Sequence, residues 1–280
     1  MKLHRSMNSP CARRSRAILV ALSSLTAMLG SAQAAAGDPS LKCCTVFELR
    51  QYTLHPGQRD TLIELFDREF VESQEAVGMR IYGQFRDADQ PDRFVWVRGF
   101  ANMEVRRQAL ASFYGGPVWK AHGKAAAATM IDSDNVLLLR SIRPGRDFDD
   151  LPKSRPPVGA AEPSSLVEAT VYGLRQEDRV RFLKFYREKM RPALLRAGIV
   201  PRAAFNTEHA PNTYPALPVR EGEEVFVWFA SFKDDEASVA SHQKLSRLRP
   251  WLSIQAELEA CLSSPPQQLR LRPTGRSLLR

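Results

Sequence analysis

The residues of this chain best equipped for chemistry are glutamates, arginines and aromatics on alternate positions of short extended segments. In residues 46–53, Glu48, Arg50 and Tyr52 fall on one face, because successive side chains of a strand point to opposite sides. Arg80, Tyr82, Gln84 and Arg86 share a face of a second segment, and Trp96 with Arg98 of a third. Farther along, Glu168, Thr170 and Tyr172 repeat the first set, and Arg202, Asn206 and Trp228 follow. Enclosed together, these side chains would make a polar cavity with aromatic walls. Arginines would hold an anionic or carbonyl-bearing ligand there, and Glu48 or Glu168 would act as a base. The same residues also fit a buried network of Glu–Arg and Tyr hydrogen bonds that ties two sheets together and binds nothing.

Other chemistry has less support. His55 lies in a turn, His122 and His242 on helical stretches and His209 in a loop, and no pair has the spacing of a metal site. His122, three residues after Trp119, is the one to weigh as a haem ligand, although no cofactor is expected. Gly-x-Ser-x-Gly, a phosphate loop and a dinucleotide fingerprint are all missing, which argues against common hydrolases, kinases and dehydrogenases.

Residues 1–34 read as a cleaved export signal. Arg13, Arg14 and Arg16 precede an apolar run from Ala17 to Leu29 that ends at Ala32-Gln33-Ala34. Both general secretion and the twin-arginine route stay open, with a periplasmic or secreted product. Cleavage would remove five basic residues and take the formal charge from +9 to +4, too small a surplus to imply nucleic acid. No later run is long and apolar enough to hold the product in a membrane. Cys43, Cys44 and Cys261 would survive, and because adjacent cysteines rarely bridge, a link from Cys43 or Cys44 to Cys261 is the expected disulfide.

The elements that must position these residues come twice. Glu48 and Glu168, Tyr52 and Tyr172, and Gly78 and Gly198 each stand 120 positions apart. Trp96 and Trp228, Asn102 and Asp234, and Trp119 and Trp251 stand 132 apart, so the second copy carries 12 extra residues between its second and third strands. Each copy reads β-α-β-β-α-β, the ferredoxin-like order, with one sheet face left for the other copy to cover. The expected divisions are an N-terminal segment at 35–43, domains at 44–142 and 166–272, a proline-rich linker at 143–165 and a tail at 273–280. The extra residues, 208–223, contain three prolines together with Tyr214 and Leu217, and are expected to fold as a lid over the mouth of the barrel.

The run Val46-Phe47-Glu48-Leu49-Arg50-Gln51-Tyr52-Thr53-Leu54-His55-Pro56-Gly57, continued by Gly78-Met79 and Phe94-Val95-Trp96, resembles the opening of the NIPSNAP family. The resemblance covers residues 44–142 and, more weakly, 166–272. It implies an α+β fold, a dimeric α+β barrel closed here within one chain, and it supplies no catalytic motif. Relatives of that barrel include cofactor-free monooxygenases and haem proteins. Three readings follow: an exported protein that binds a small organic ligand in or beside the barrel, a cofactor-independent monooxygenase, or a protein-interaction module. Ligand residues would be Glu48, Arg50, Tyr52, Tyr82, Arg86, Trp96, Glu168, Tyr172, Arg202 and Trp228. Oligomeric state is not legible.

Overall fold

Alternation in residues 46–54 and 166–174 yields two nine-residue strands. The computed structural model describes residues 43–280, so the expected export signal and nearly all of 35–43 lie outside the described residues. Strand β1 (Val46–Leu54) leads into α1, a rod of Arg59–Leu65, a π-helical stretch Phe66–Phe70 and Val71–Glu75. Then come β2 (Arg80–Asp87), β3 (Arg93–Phe100), α2 (Met103–Tyr114), α3 (Pro117–Ala127), β4 (Met130–Asp132) and β5 (Val136–Ser141). The second half gives β6 (Leu166–Leu174) and α4 (Arg179–Phe185, a π-helical stretch Tyr186–Met190 and Arg191–Ala197). It closes with β7 (Pro201–Thr207), β8 (Glu224–Phe232), α5 (Asp235–Ser246), α6 (Trp251–Glu259) and β9 (Gln267–Pro273). Asn102 and Asp234 cap α2 and α5, each side chain accepting from the backbone N–H three residues on.

The strands close into an eight-stranded antiparallel barrel in the order β1-β3-β2-β9-β6-β8-β7-β5 and back to β1, with β4 appended to β1. Two seams join the halves. Phe85 to Asp87 of β2 pair with β9, and Leu139 to Ser141 of β5 pair with β7. Closure leaves none of the eight with an open edge.

Side chains such as Phe47, Leu49, Phe85, Val97, Phe205 and Phe229 fill the lumen. Gln51 and Gln267 exchange two amide hydrogen bonds across it, at 3.1 and 3.0 Å. Strand alternation would let the polar face of β1 line the barrel interior, and the structure reverses this. Glu48, Arg50, Tyr52 and Trp96 point outward, under α1 and α2, because both faces of β1 are buried and alternation alone cannot say which one meets the helices.

Two segments expected as linker and tail are part of the core. Phe148, within 143–165, plugs the lumen against Phe47, Tyr82, Phe205 and Phe229 at ring distances of 5.0–6.3 Å. Beyond β9 the chain runs on beside β2, with the Thr274 and Leu279 N–H groups donating to Gln84 and Tyr82 carbonyls and Leu279 buried in the lumen. Few apolar residues mark either segment, so composition hid their burial.

The disulfide also differs from expectation. Cys43 is bonded to Cys44, while Cys261 is free and buried in the helix-side core of the second half. Cys44 packs against β3 at Gly99, where an added Cβ would stand 2.8 Å from the Tyr82 ring and 3.0 Å from the Cys44 Sγ. Both neighbours are buried, so Gly99→Ala should lower unfolding stability by about 1–3 kcal/mol through overpacking. Urea unfolding measures it, and an unchanged midpoint would show that this end of the lumen has slack.

Candidate functional site

Strand β1 carries Glu48 to the centre of a fully buried ionic cluster. Its Oε2 accepts from Arg50 Nη1 at 2.8 Å and Arg98 Nε at 2.7 Å, and its Oε1 from Arg106 Nε at 2.7 Å. All four side chains are wholly enclosed. Burial alone would raise the Glu48 pKa, but the guanidiniums of Arg98, Arg50 and Arg106 outweigh it and hold the carboxyl far below its ordinary range. Glu48 is thus a permanent anion rather than a base. Three cations face one anion here.

The arginines tie the cluster to its surroundings. Arg98 Nη1 donates to Gln74 Oε1 of α1 at 2.9 Å. Arg106, on α2, donates from Nη1 to Asn212 Oδ1 at 3.0 Å and Thr213 Oγ1 at 3.3 Å. Arg50 Nε donates to the Tyr52 hydroxyl at 2.8 Å, and its guanidinium lies 5.4 Å from the Tyr52 ring and 5.6 Å from Trp96. Arg50 Nη2, Arg106 Nη2 and Trp96 Nε1 are buried donors without a protein partner. Such atoms are expensive to leave unmet.

Tyr52 and Trp96 open onto a cavity of about 140 Å³ between the sheet and the helices, walled by Phe66, Phe70, Phe113 and Trp119. The π-helical stretch of α1 supplies both Phe66 and Phe70 to it. Burial raises the Tyr52 phenol pKa, with Arg50 opposing, so the hydroxyl is neutral and free to donate.

The inserted loop covers this cavity rather than the barrel mouth. Tyr214 stacks on Tyr114 of α2 at 5.9 Å, Leu217 lines the cavity wall, and Thr213 Oγ1 donates to the Met103 carbonyl at 3.2 Å. The lid expected of Tyr214 and Leu217 is thus displaced, because Asn212 and Thr213 are drawn to Arg106. One half of the chain closes the pocket of the other.

The remaining sequence candidates do not join it. Tyr82 points into the lumen, since β2 has an irregularity between Ile81 and Gly83 that turns it away from Gln84. Arg86 makes ion pairs with Asp60 and Glu162, and Arg202 with Asp150 at 2.7 Å. Tyr172 and Trp228 pack in the helix-side core of the second half. Glu168 stands apart with Ser238 and His242. His122 lies 3.5 Å from Glu69, and among the described residues no group of three or more His, Cys, Asp or Glu could hold a metal. Sequence reasoning missed Arg106 and the phenylalanines. Arg106, Ala109, Leu110 and Phe113 all fall on the buried stripe of α2, a spacing that marks Arg106 as enclosed.

The NIPSNAP family model matches residues 47–142, the half that holds the cluster and cavity. That segment is a NIPSNAP domain. Among curated proteins nothing matches. Similar solved structures include a candidate monooxygenase from Lactobacillus acidophilus NCFM, 12% identical, covering 82% of this chain and 94% of that one with a TM-score of 0.51. A candidate monooxygenase from Fusobacterium nucleatum is 8% identical, with 82% and 93% covered and a TM-score of 0.53. An anthrone oxidase-like protein is 12% identical, with 82% and 91% covered and a TM-score of 0.53. At these identities the likeness is one of fold.

One titration beside the cavity is measurable. Burial lifts Asp67, between Phe66 and Phe70, from 3.8 to about 6 against the pull of Arg276, Arg155 and Arg86. A carboxyl raised in the folded state favours folding while protonated, so its contribution is full below 3.8 and lost as pH rises through about 6. Asp67→Asn should therefore flatten the melting temperature across that window relative to wild type. Parallel profiles would place the titrating group elsewhere.

Proposed function

We propose that this NIPSNAP-domain protein binds a small single-ring aromatic ligand carrying an acidic or carbonyl oxygen, beside the barrel rather than in it. The observation that carries the reading is the excess of enclosed positive charge beneath an aromatic cavity. Arg50, Arg98 and Arg106 share the one carboxylate of Glu48, and the unmet Trp96 Nε1 belongs to a residue of the cavity wall. An apolar cavity of about 150 Å³ accepts benzene, so about 140 Å³ suits one ring. The ring would pack among Phe66, Phe70, Phe113 and Trp119. Its oxygen would face the Tyr52 hydroxyl and Trp96 Nε1, with the Arg50 guanidinium behind them.

In this reading the barrel consists of two ferredoxin-like β-α-β-β-α-β repeats, of which the first binds and the second lends the loop 208–223. Tyr214 and Leu217 serve as the cover that keeps water from the ligand. The export signal read in residues 1–34 puts that binding in the periplasm or outside the cell. Small aromatic acids and phenols are the ligands to try.

A second reading, oxidation of the same ligand by molecular oxygen without a cofactor, draws on the neighbours described as monooxygenases and anthrone oxidase-like. Donors that hold an aryl oxyanion also lower the cost of forming one. Against it, the polar groups lining the cavity are phenols, indoles, an amide and a hydroxyl, none of them a base at neutral pH. Binding without turnover is therefore preferred.

Titrating hydroquinone and 4-hydroxybenzoate into the protein, with tryptophan fluorescence as the signal, should give saturable quenching. Tyr52→Phe and Trp96→Phe should each weaken it by about tenfold, the worth of one good hydrogen bond. Absence of saturation with either probe would overturn the binding reading. Steady oxygen uptake on adding hydroquinone would transfer the case to the enzyme.

A further inference from the structure

The second half keeps a glutamate where the first has Glu48 and discards every cation that surrounds it. Strand register fixes the correspondence. Glu48 lies opposite Arg98 and Arg50 opposite Trp96, whereas Glu168 lies opposite Ala230 and Thr170 opposite Trp228. Arg106 stands four residues after the cap Asn102, and Ser238 four after the cap Asp234. Arg50, Arg98 and Arg106 are thus replaced by Thr170, Ala230 and Ser238.

Two of these replacements, Thr170 and Ser238, face open space. A groove of about 440 Å³ runs between β6, β9 and α5 over Glu168 and Thr170, with Ser238, His242, Gln268 and Arg270 along it. Glu168 accepts from the Ser238 hydroxyl and sits 2.7 Å from His242 Nε2, two contacts for a carboxylate that offers about four acceptor positions. Arg270 does not fill the vacancy. Its guanidinium is committed to Asp89 at 2.9 Å and Asp235 at 2.6 Å. The loop that covers the first cavity has no counterpart here, because the turn joining β2 to β3 is short.

We propose that this groove is a binding site for a guanidinium group, which Glu168 receives as Glu48 receives the arginines of its own half. Thr170 and Gln268 supply neutral oxygens beside the carboxylate, and Val239 of α5 gives the stem of the ligand an apolar wall. The first half is an internal template for the chemistry, since planar guanidinium pairs with carboxylate through charge-assisted hydrogen bonds. Such a group could belong to a free small molecule or to an arginine side chain of a peptide. The site is separate from the aromatic cavity.

Methylguanidine, its uncharged analogue methylurea and a blocked arginine-containing tripeptide are titrated into the full chain, with backbone amide shifts of β6 and α5 as the signal. Methylguanidine should saturate in the millimolar range, methylurea should not, and Glu168→Gln should weaken binding by about tenfold or more. Thr170→Arg, which restores the cation of the first half, should abolish methylguanidine binding while the protein stays folded. Tripeptide binding tighter than methylguanidine would point to peptides as the source, and methylguanidine binding alone to a free metabolite. Equal binding of methylurea, undiminished binding to Glu168→Gln, or binding retained in Thr170→Arg would each overturn the proposal.

Discussion

Everything in the first half of this protein is organised around the burial of one carboxylate. An ion such as Glu48 loses several kcal/mol of hydration when enclosed, and only close, hydrogen-bonded partners restore it. Three guanidiniums do so here at 2.7–2.8 Å, and each carries the cluster to a different part of the fold. Arg50 runs along β1 to Tyr52, Arg98 crosses to Gln74 on α1, and Arg106 reaches from α2 to the loop at Asn212 and Thr213. Sheet, both helices and a loop of the other half meet at one anion. Beside that cluster, aromatic rings from β1, β3, α1, α2 and α3 wall the cavity.

The two halves share some features and differ in others. Both long helices contain a π-helical stretch at the same place, Phe66–Phe70 and Tyr186–Met190, and both first strands keep their glutamate and tyrosine. The second half fills its helix-side core with Phe182, Tyr186, Phe226 and Trp228, replaces the arginines and leaves a polar groove over Glu168. It also carries the loop that covers the cavity of the first half. Within a single chain such a division needs no symmetry, so a closed aromatic cavity and an open polar groove can coexist on one barrel.

Much of the architecture was legible because alternation and repetition are strong signals. Residues 46–54 and 166–174 alternate, and the offsets between copies pointed to a barrel with helices outside. The direction of the polar face was not legible, since β1 is buried on both sides, by the lumen and by α1 with α2. Phe148, Leu278 and Leu279 were hidden in segments otherwise rich in proline or arginine, and a short run of apolar residues carries no period to read. Tyr214 and Leu217 announced a covering loop through composition alone, but where it lies depends on Arg106, a contact 106 residues away from Asn212. Arg106 is not singled out by its residue type, since arginines usually lie at the surface.

The central claim is that Glu48 is structural and indispensable while its twin Glu168 is not. Urea unfolding of Glu48→Gln and Glu168→Gln beside wild type tests it directly. Glu48→Gln leaves three enclosed guanidiniums without their anion and should lose about 3–5 kcal/mol, the cost of breaking a buried ion pair. Glu168→Gln, on a half-open groove, should lose less than about 1 kcal/mol. Equal losses, or a Glu48→Gln protein as stable as wild type, would contradict the account.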